Sequence, residues 1–585
     1  MTGAWQSFTQ DQDPYVSAAR QAASRLLIIA GVLSFFVNML MLTGPLYMLQ
    51  IYDRVISSRS YETLAVLTLL TLALFAGMAV LDFARGALLA RAGEELEDKL
   101  QDVVFDVSMD AGRMGTKSPE QPIKDLRFLR QFVGSPALTA VFDAPWAPFF
   151  LGLVFLMHWL LGVVALIGLL VLLALAFVNE RASRQANIAA GQMIVGADQS
   201  AMSSIRNAAA ADAMGMRERL RERWRKQSAA ASSNNILATD RIGGLTAATK
   251  ATRLFLQSAI LGTGAYLAIQ SIVTPGVMIA ASIIAGRALA PIEIVTSHWR
   301  QFASSGAALK RLLDFIRISR DQTPKTALPA PQGALSVEKL VCRPGASKNP
   351  VLKNVSFELD AGETLGVIGP SAAGKSTLAR ALVGVEPAIS GSIKLDDANL
   401  SQWDKTVLGV YIGFLPQEVE LFDGSAAQNI GRFYEEIDDA KVIAAAKAAG
   451  AHEMVLGLPD GYDTQIGENG RHLSAGQRQR LGLARALYGD PKLIVLDEPN
   501  ANLDADGEAA LAQAIQGAKA RGATTIIVAH RPSAIAYVDK LLLLVDGELR
   551  ALGPRDEILK KFAPRQVASF DADAKGRQRK ASGHE

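Results

Sequence analysis

Cysteine is nearly absent from this chain of 585 residues. Cys342 stands alone, so no disulfide can close within the chain, and a reducing compartment is permitted. An excess of one charge is missing too. Sixty Lys and Arg against 57 Asp and Glu leave a formal +3, which removes any global electrostatic case for nucleic acid. The stretch Met1 to Ser24 lacks the basic start, short apolar core and small-residue cleavage site of a secretory signal, and carries Asp11 and Asp13 instead. The first apolar run therefore reads as a retained membrane anchor.

What is present is hydrophobicity, at 50% of residues, and it is unevenly spread. The first half carries long apolar runs; the second half reads as an ordinary α/β protein. A bilayer core about 30 Å thick requires about 20 apolar residues per spanning helix. Six runs approach that length: Leu26 to Met48, Leu64 to Phe83, Ala137 to Met157, Leu160 to Val178, Leu254 to Gln270 and Gly276 to Val295. Gly and polar residues interrupt the last two. Asp143 and Arg287 lie in or beside apolar spans, where ionisable groups are costly and tend to face a cavity or a partner. A place on a transport path and a plain structural pairing are both open for each. Asp82 falls near a helix end and reads as structural.

The loops orient the chain. Spans two and three are joined by a stretch with Arg85, Arg91, Lys99, Arg113, Lys117, Lys124, Arg127 and Arg130. Spans four and five are joined by one with Arg217, Arg219, Arg221, Arg223, Arg225 and Lys226 among others. Basic loops stay cytoplasmic, which puts both termini there; Arg54 and Arg59 in the first outer loop depart mildly. Both basic stretches keep helical periodicity with few prolines. They read as helices that continue beyond the membrane. A Pro-rich linker follows near Asp321 to Gln332, and the tail after Pro564 is polar and basic, with the composition of a disordered segment.

From about Ala334, short β-like runs alternate with helical ones, the pattern of an α/β domain with a mainly parallel sheet. Gly369, Pro370, Ser371, Ala372, Ala373, Gly374, Lys375 and Ser376, followed by Thr377, form a phosphate-binding loop between a strand-like run, Thr364 to Ile368, and a helix-like one. Glycines let backbone N–H groups turn toward phosphates, and the helix N-terminus adds partial positive charge. Lys375 is placed for β/γ-phosphates and Ser376 for Mg²⁺. Leu493 to Leu496 is a buried strand ending in Asp497 and Glu498, suited to Mg²⁺ and to the attacking water respectively.

Leu473-Ser474-Ala475-Gly476-Gln477 resembles the signature of ABC transporters, with Ala475 where Gly is usual. Taken alone, the segment would also serve as a helix cap, since Ser474 suits an N-cap. Gln417 resembles that family's Q-loop glutamine, Asn502-Leu503-Asp504 its D-loop and His530 its switch histidine. The resemblance implies ATP and Mg²⁺ as ligands. It implies Glu498, His530 and Gln417 as catalytic, Ser376, Gln417 and Asp497 on the metal, and Ser474, Gly476 and Gln477 on nucleotide held by a second copy. One departure stands out: Val341-Cys342-Arg343 has no aromatic to stack on adenine, so Arg343 is the candidate for the base.

The layout is similar to that of exporter half-transporters. It implies a multidomain membrane protein: a six-helix, all-α transmembrane domain followed by an α/β P-loop nucleotide-binding domain, active as a homodimer. The boundaries read as a tail at 1–24, the membrane domain at 25–315, a linker at 316–333, the nucleotide-binding domain at 334–564 and a tail at 565–585. Gly44 to Val55, Phe142 to Pro148, Gly286 to Pro291 and Asp497 to Asn500 resemble the PrtD-like branch of type I secretion transporters. That branch implies an inner-membrane protein working with a membrane-fusion adaptor and an outer-membrane channel. Its cargo is unfolded polypeptide with a C-terminal signal. A lipid or drug exporter shares the architecture and is the alternative. A non-transport ATPase acting on nucleic acid is opposed by the membrane spans.

Overall fold

The computed structural model describes residues 13–116, 118–319, 328–344, 349–467, 470–529 and 532–561. Contacts divide the chain into two compact units, with the main break in sequence between residues 321 and 322.

The first unit is helical. Its first helix, α1 (Pro14–Leu40), starts well before the apolar run beginning at Leu26. Asp13 caps it by accepting from the backbone N–H groups of Tyr15 and Val16. Val16 and Ala19 are buried, so from Pro14 onward the chain is packed helix and not a tail. A short helix, Thr43–Gln50, and a π-helical turn, Ile51–Val55, lead to α2 (Tyr61–Arg113). Then come α3 (Gln121–Val133), α4 (Pro136–Asp143), a 3₁₀ turn at Ala144–Trp146 and α5 (Ala147–Met157). The unit closes with α6 (Trp159–Arg206), α7 (Arg217–Ile269), α8 (Pro275–Ser297) and α9 (Trp299–Ser319).

The basic stretches are helical as their periodicity predicts. At 1.5 Å per residue, α2 and α7 are each about 80 Å long, far more than a bilayer needs. Five helical segments among the described residues are long and apolar enough to cross a membrane: Pro14–Ser58, Tyr61–Arg113, Pro136–Met157, Trp159–Val178 and Pro275–Ser297. The run from Leu254 is not among them, because polar residues dilute it. It is nonetheless the last part of α7, and Leu256, Ile260 and Leu267 sit in apolar clusters with α5, α6 and α8.

The second unit has two sheets. The larger runs β10-β9-β3-β8-β7-β6. Its members are β3 (Thr364–Ile368), β6 (Ile412–Leu415), β7 (Leu493–Asp497), β8 (Thr524–Val528), β9 (Lys540–Val545) and β10 (Glu548–Pro554). All neighbours in it are parallel except β9 and β10. Every residue of β7 and β8 is buried, because both faces are covered. Leu493 and Val495 pack into one core, Ile494 and Leu496 into the other. The smaller sheet, β2-β1-β4-β5, is wholly antiparallel, which the alternation of runs does not predict. It comprises β1 (Leu335–Cys342), β2 (Leu352–Leu359), β4 (Ala388–Leu395) and β5 (Ala398–Asn399).

Candidate functional site

The register of the larger sheet assembles the site. Val367 of β3 lies beside Val528 of β8, Val528 beside Asp497 of β7, and Leu496 beside Leu415 of β6. The loops leaving β3, β6 and β7 therefore open at one carboxyl edge, where parallel sheets hold ligands. Gly369 follows β3, Gln417 follows β6, and Glu498 follows β7. His530 follows β8 in sequence but lies outside the described residues.

The phosphate loop runs from Gly369 into helix α10 (Lys375–Leu382). Gly369 has no room for a side chain: a Cβ would lie 2.1 Å from the Leu544 carbonyl oxygen. Ala372 and Gly374 take positive φ, 64° and 97°, which curls the loop back over the helix start. Lys375 is buried and lies across the loop, donating from Nζ to the carbonyls of Gly369 (2.9 Å) and Pro370 (2.8 Å). Burial pushes its pKa below the usual lysine value, and the nearby carboxylates of Glu498 and Asp497 counter that.

Asp497 is 2% exposed, and its Oδ1 has no hydrogen-bond partner. Burial raises its pKa; a hydrogen bond from Ser376 acts against this, and Glu498 adds to it. A buried carboxylate oxygen without a donor, beside a hydroxyl, is a donor set suited to a hard divalent cation. Glu498 follows in the left-handed region (φ 52°), half-buried, its N–H donating to the Val528 carbonyl at 2.9 Å. Strained backbone in a side-chain-bearing residue is a feature that clusters at functional sites. Gln417 is exposed just beyond β6.

The segment around Ser474 opens helix α11 (Ala475–Leu487) with a capping box. Ser474 Oγ accepts from Gln477 N–H at 3.2 Å, and Gln477 Oε1 accepts from Ser474 N–H at 2.8 Å. The hydroxyl accepts within the cap and keeps its own proton to donate. Gly476 sits against the Asn502 carbonyl, where a Cβ would approach to 2.9 Å. Two anchors of this helix have partners that the sequence does not name. Gln479 is buried and donates to the Pro499 carbonyl at 3.1 Å, and Arg480 pairs with Asp504. Arg343 is exposed directly after β1, and Val351, just before β2, packs against Gly374. The structure brings together the Gly369–Ser376, Gln417, Asp497 and Glu498 loops; it shows no contact of Arg343 with them.

The membrane unit has a polar site of its own that sequence reading misses. By position Arg85 counts among the loop cations, yet it is buried. Its guanidinium donates to Asp143 Oδ1 at 2.9 Å, Asp82 Oδ1 at 2.5 Å and Ser34 Oγ at 3.3 Å. Asn38 also donates to Asp143, at 2.8 Å. The cluster ties α1 and α2 to the break where α4 gives way to Ala144-Pro145-Trp146.

Comparison with known proteins places this geometry. The model for the ABC transporter family matches residues 352–501, and the ABC transporter transmembrane region matches 121–288. The type I secretion system ATP-binding protein PrsD of Rhizobium meliloti is 41% identical over 96% of this chain and 97% of its own length. The chain belongs to the type I secretion family of ABC transporters. This transporter is a multi-pass membrane protein and an ATP-binding ATPase, the ABC component of a secretion system. It is also similar to the cyclolysin secretion/processing protein CyaB of Bordetella pertussis, at 28% identity over 93% of this chain and 77% of that one. The leukotoxin translocation protein LktB of Mannheimia glucosida is 28% identical over 90% and 75%. A bacterial Atm1-family ABC exporter structure with ATP bound shares the fold, with a TM-score of 0.78, 22% identity and coverage of 92% and 97%.

Proposed function

We propose that this transporter uses ATP hydrolysis to move polypeptides across the bacterial inner membrane, both termini on the cytoplasmic side. The observation that carries the reading is the full-length match to a type I secretion ATP-binding protein, supported by two relatives named for secreted toxins. Its partners are then a membrane-fusion adaptor, an outer-membrane channel and a cargo chain with a C-terminal signal.

The active form is a homodimer with two composite sites. Within one chain the loop Gly369 to Thr377 holds the phosphates, Lys375 neutralises them, and Arg343 stacks on the base through its guanidinium plane. Ser376, Gln417 and Asp497 hold Mg²⁺, the orphaned Oδ1 of Asp497 being the feature that favours a cation. Mg²⁺ supplies positive charge for the phosphoryl oxygens. Glu498 orients or deprotonates the attacking water, and His530 is the group for the γ-phosphate. Ser474, Gly476 and Gln477 close the nucleotide site of the other copy, through a helix N-terminus that favours anions.

Deleting the gene tests the reading in cells. A specific protein should vanish from the culture supernatant while lipid composition stays unchanged. An unchanged set of secreted proteins under conditions of expression would return the lipid or drug exporter to first place.

A further inference from the structure

The apolar stretches of the membrane unit treat their ionisable groups in two ways. Asp82, Arg85 and Asp143 satisfy one another, and Glu293 pairs with Arg253 at 2.6 Å. Arg287 has no ion-pair or hydrogen-bond partner among the described residues. It sits in α8, the helix most enclosed by its own unit: α4, α5, α6, α7 and the Thr43–Gln50 helix all pack on it. From Gly276 to Thr296 every residue is buried or half-buried except Arg287, which is exposed. Its neighbours on the helix, Ala285, Ala288 and Leu289, are buried.

Depth decides what can face it. Twelve residues separate Pro275 from Arg287, about 18 Å along the helix, in a hydrocarbon core about 30 Å thick. Neither end of the span is close, so the side chain cannot easily snorkel to water at the interface. A guanidinium cannot shed its charge to escape the cost. Lipid is therefore the least suitable surrounding. A water-filled route, entered by a chain that carries anions, suits it best, because carboxylates pair with guanidinium through two parallel hydrogen bonds.

We propose that Arg287 lines the route of the transported polypeptide and pairs transiently with its Asp and Glu side chains, so that acidic segments are favoured. This rests on the polypeptide-export reading above. Asp143, whose Oδ1 accepts from Arg85 and Asn38, is tied into the helix packing instead.

The test uses the full-length transporter with Arg287→Cys, reconstituted in lipid vesicles. Cys342 is buried and serves as the silent native thiol. The probes are water-soluble thiol reagents carrying either a positive or a negative group. The control is Leu69→Cys, at an exposed position in the apolar part of α2. The thiol of Arg287→Cys should react roughly tenfold faster than that of the control, because the reactive thiolate needs water. An unfolded peptide rich in Asp and Glu should protect it, and the Asn/Gln counterpart of that peptide should not. The positive adduct should restore ATPase stimulation by the acidic peptide, and the negative adduct should not. A thiol at position 287 as unreactive as the one at position 69 overturns the route. Equal protection by the two peptides, or equal effects of the two adducts, overturns carboxylate recognition. Labelling in vesicles without cargo is independent of the secretion phenotype, so failure here is distinguishable from failure of the export reading.

Discussion

A half-buried carboxylate and a buried one meet opposite fates in this chain. Asp143, in the membrane unit, is paired: Arg85 and Asn38 both donate to its Oδ1. Asp497, in the nucleotide-binding unit, leaves Oδ1 without a donor although it is the more deeply buried. A satisfied buried charge is architecture, since its neighbours have cancelled the desolvation cost. An unsatisfied one is held at a cost that only a ligand repays, so it marks a site. The pair also shows why burial alone does not identify function; the hydrogen-bond partners do.

The sharpest way to test the contrast is to remove chemistry at the unsatisfied end. Glu498→Gln keeps shape and hydrogen bonding but loses the base. ATP turnover should fall by about 10²–10⁴-fold while nucleotide binding persists. A purified variant that hydrolyses at the wild-type rate would show that another group activates the water.

At the paired end, Arg85→Ala should act on folding. It strands Asp143 in an apolar bundle, a change that typically costs about 3–5 kcal/mol. The thermal midpoint and the folded yield should both drop. Adding Asp143→Asn should recover part of the loss, because the uncompensated charge is then gone. If the double variant is less stable than Arg85→Ala, Asp143 is held by something other than this pair.

The contrast also predicts a pH signature. Burial raises the Asp497 pKa in the folded chain above its unfolded value, near 3.9. Below the unfolded value both states are protonated and the site carries no charge penalty. As pH rises through the folded pKa, the ionised form appears in a poorly solvating site and stability is lost. Without nucleotide or metal, Asp497→Asn should therefore gain thermal stability relative to wild type between pH 4 and pH 7. Thermal unfolding at both pH values measures it, and a difference independent of pH would refute the cause.

The smallest expected effect concerns a third carboxylate, Asp53. It accepts from Thr274 Oγ1 at 2.6 Å and from Gly276 N–H at 2.9 Å, capping α8. Asp53→Ala should cost about 1 kcal/mol, as lost caps do. Gly276→Ala would place a Cβ 2.6 Å from the Asp53 carboxylate, so it should destabilise wild type but be nearly neutral beside Asp53→Ala. Additive losses in that cycle, read from thermal midpoints, would mean that the contact carries no energy.

Much of the nucleotide site is legible in the sequence. Gly369 to Thr377, Ser474 to Gln477 and Asp497-Glu498 are contiguous runs, because phosphate binding uses backbone N–H groups and strand ends that only neighbouring residues can supply. The Gln479 and Arg480 anchors are not legible, since each depends on a loop that folds back from Pro499 or Asp504. In the membrane unit the apolar runs announce most spans. They do not show where the first helix starts, because Asp13 capping is a local polar signal that hydropathy ignores.

The sequence by itself determined the order of domains, the long helical extensions and the glycine-bearing turn between β3 and its helix. Each follows from local rules: bilayer thickness sets run length, 3.6 residues per turn sets periodicity, and glycine permits the tight turn. Only the tertiary structure decided the roles of the isolated charges. Arg85 lies 58 residues from Asp143, and Asp53 lies 223 from Gly276. Nothing local says which face of one helix meets which face of another. That choice is made when the apolar clusters close, and it is what leaves Asp143 paired and Arg287 exposed.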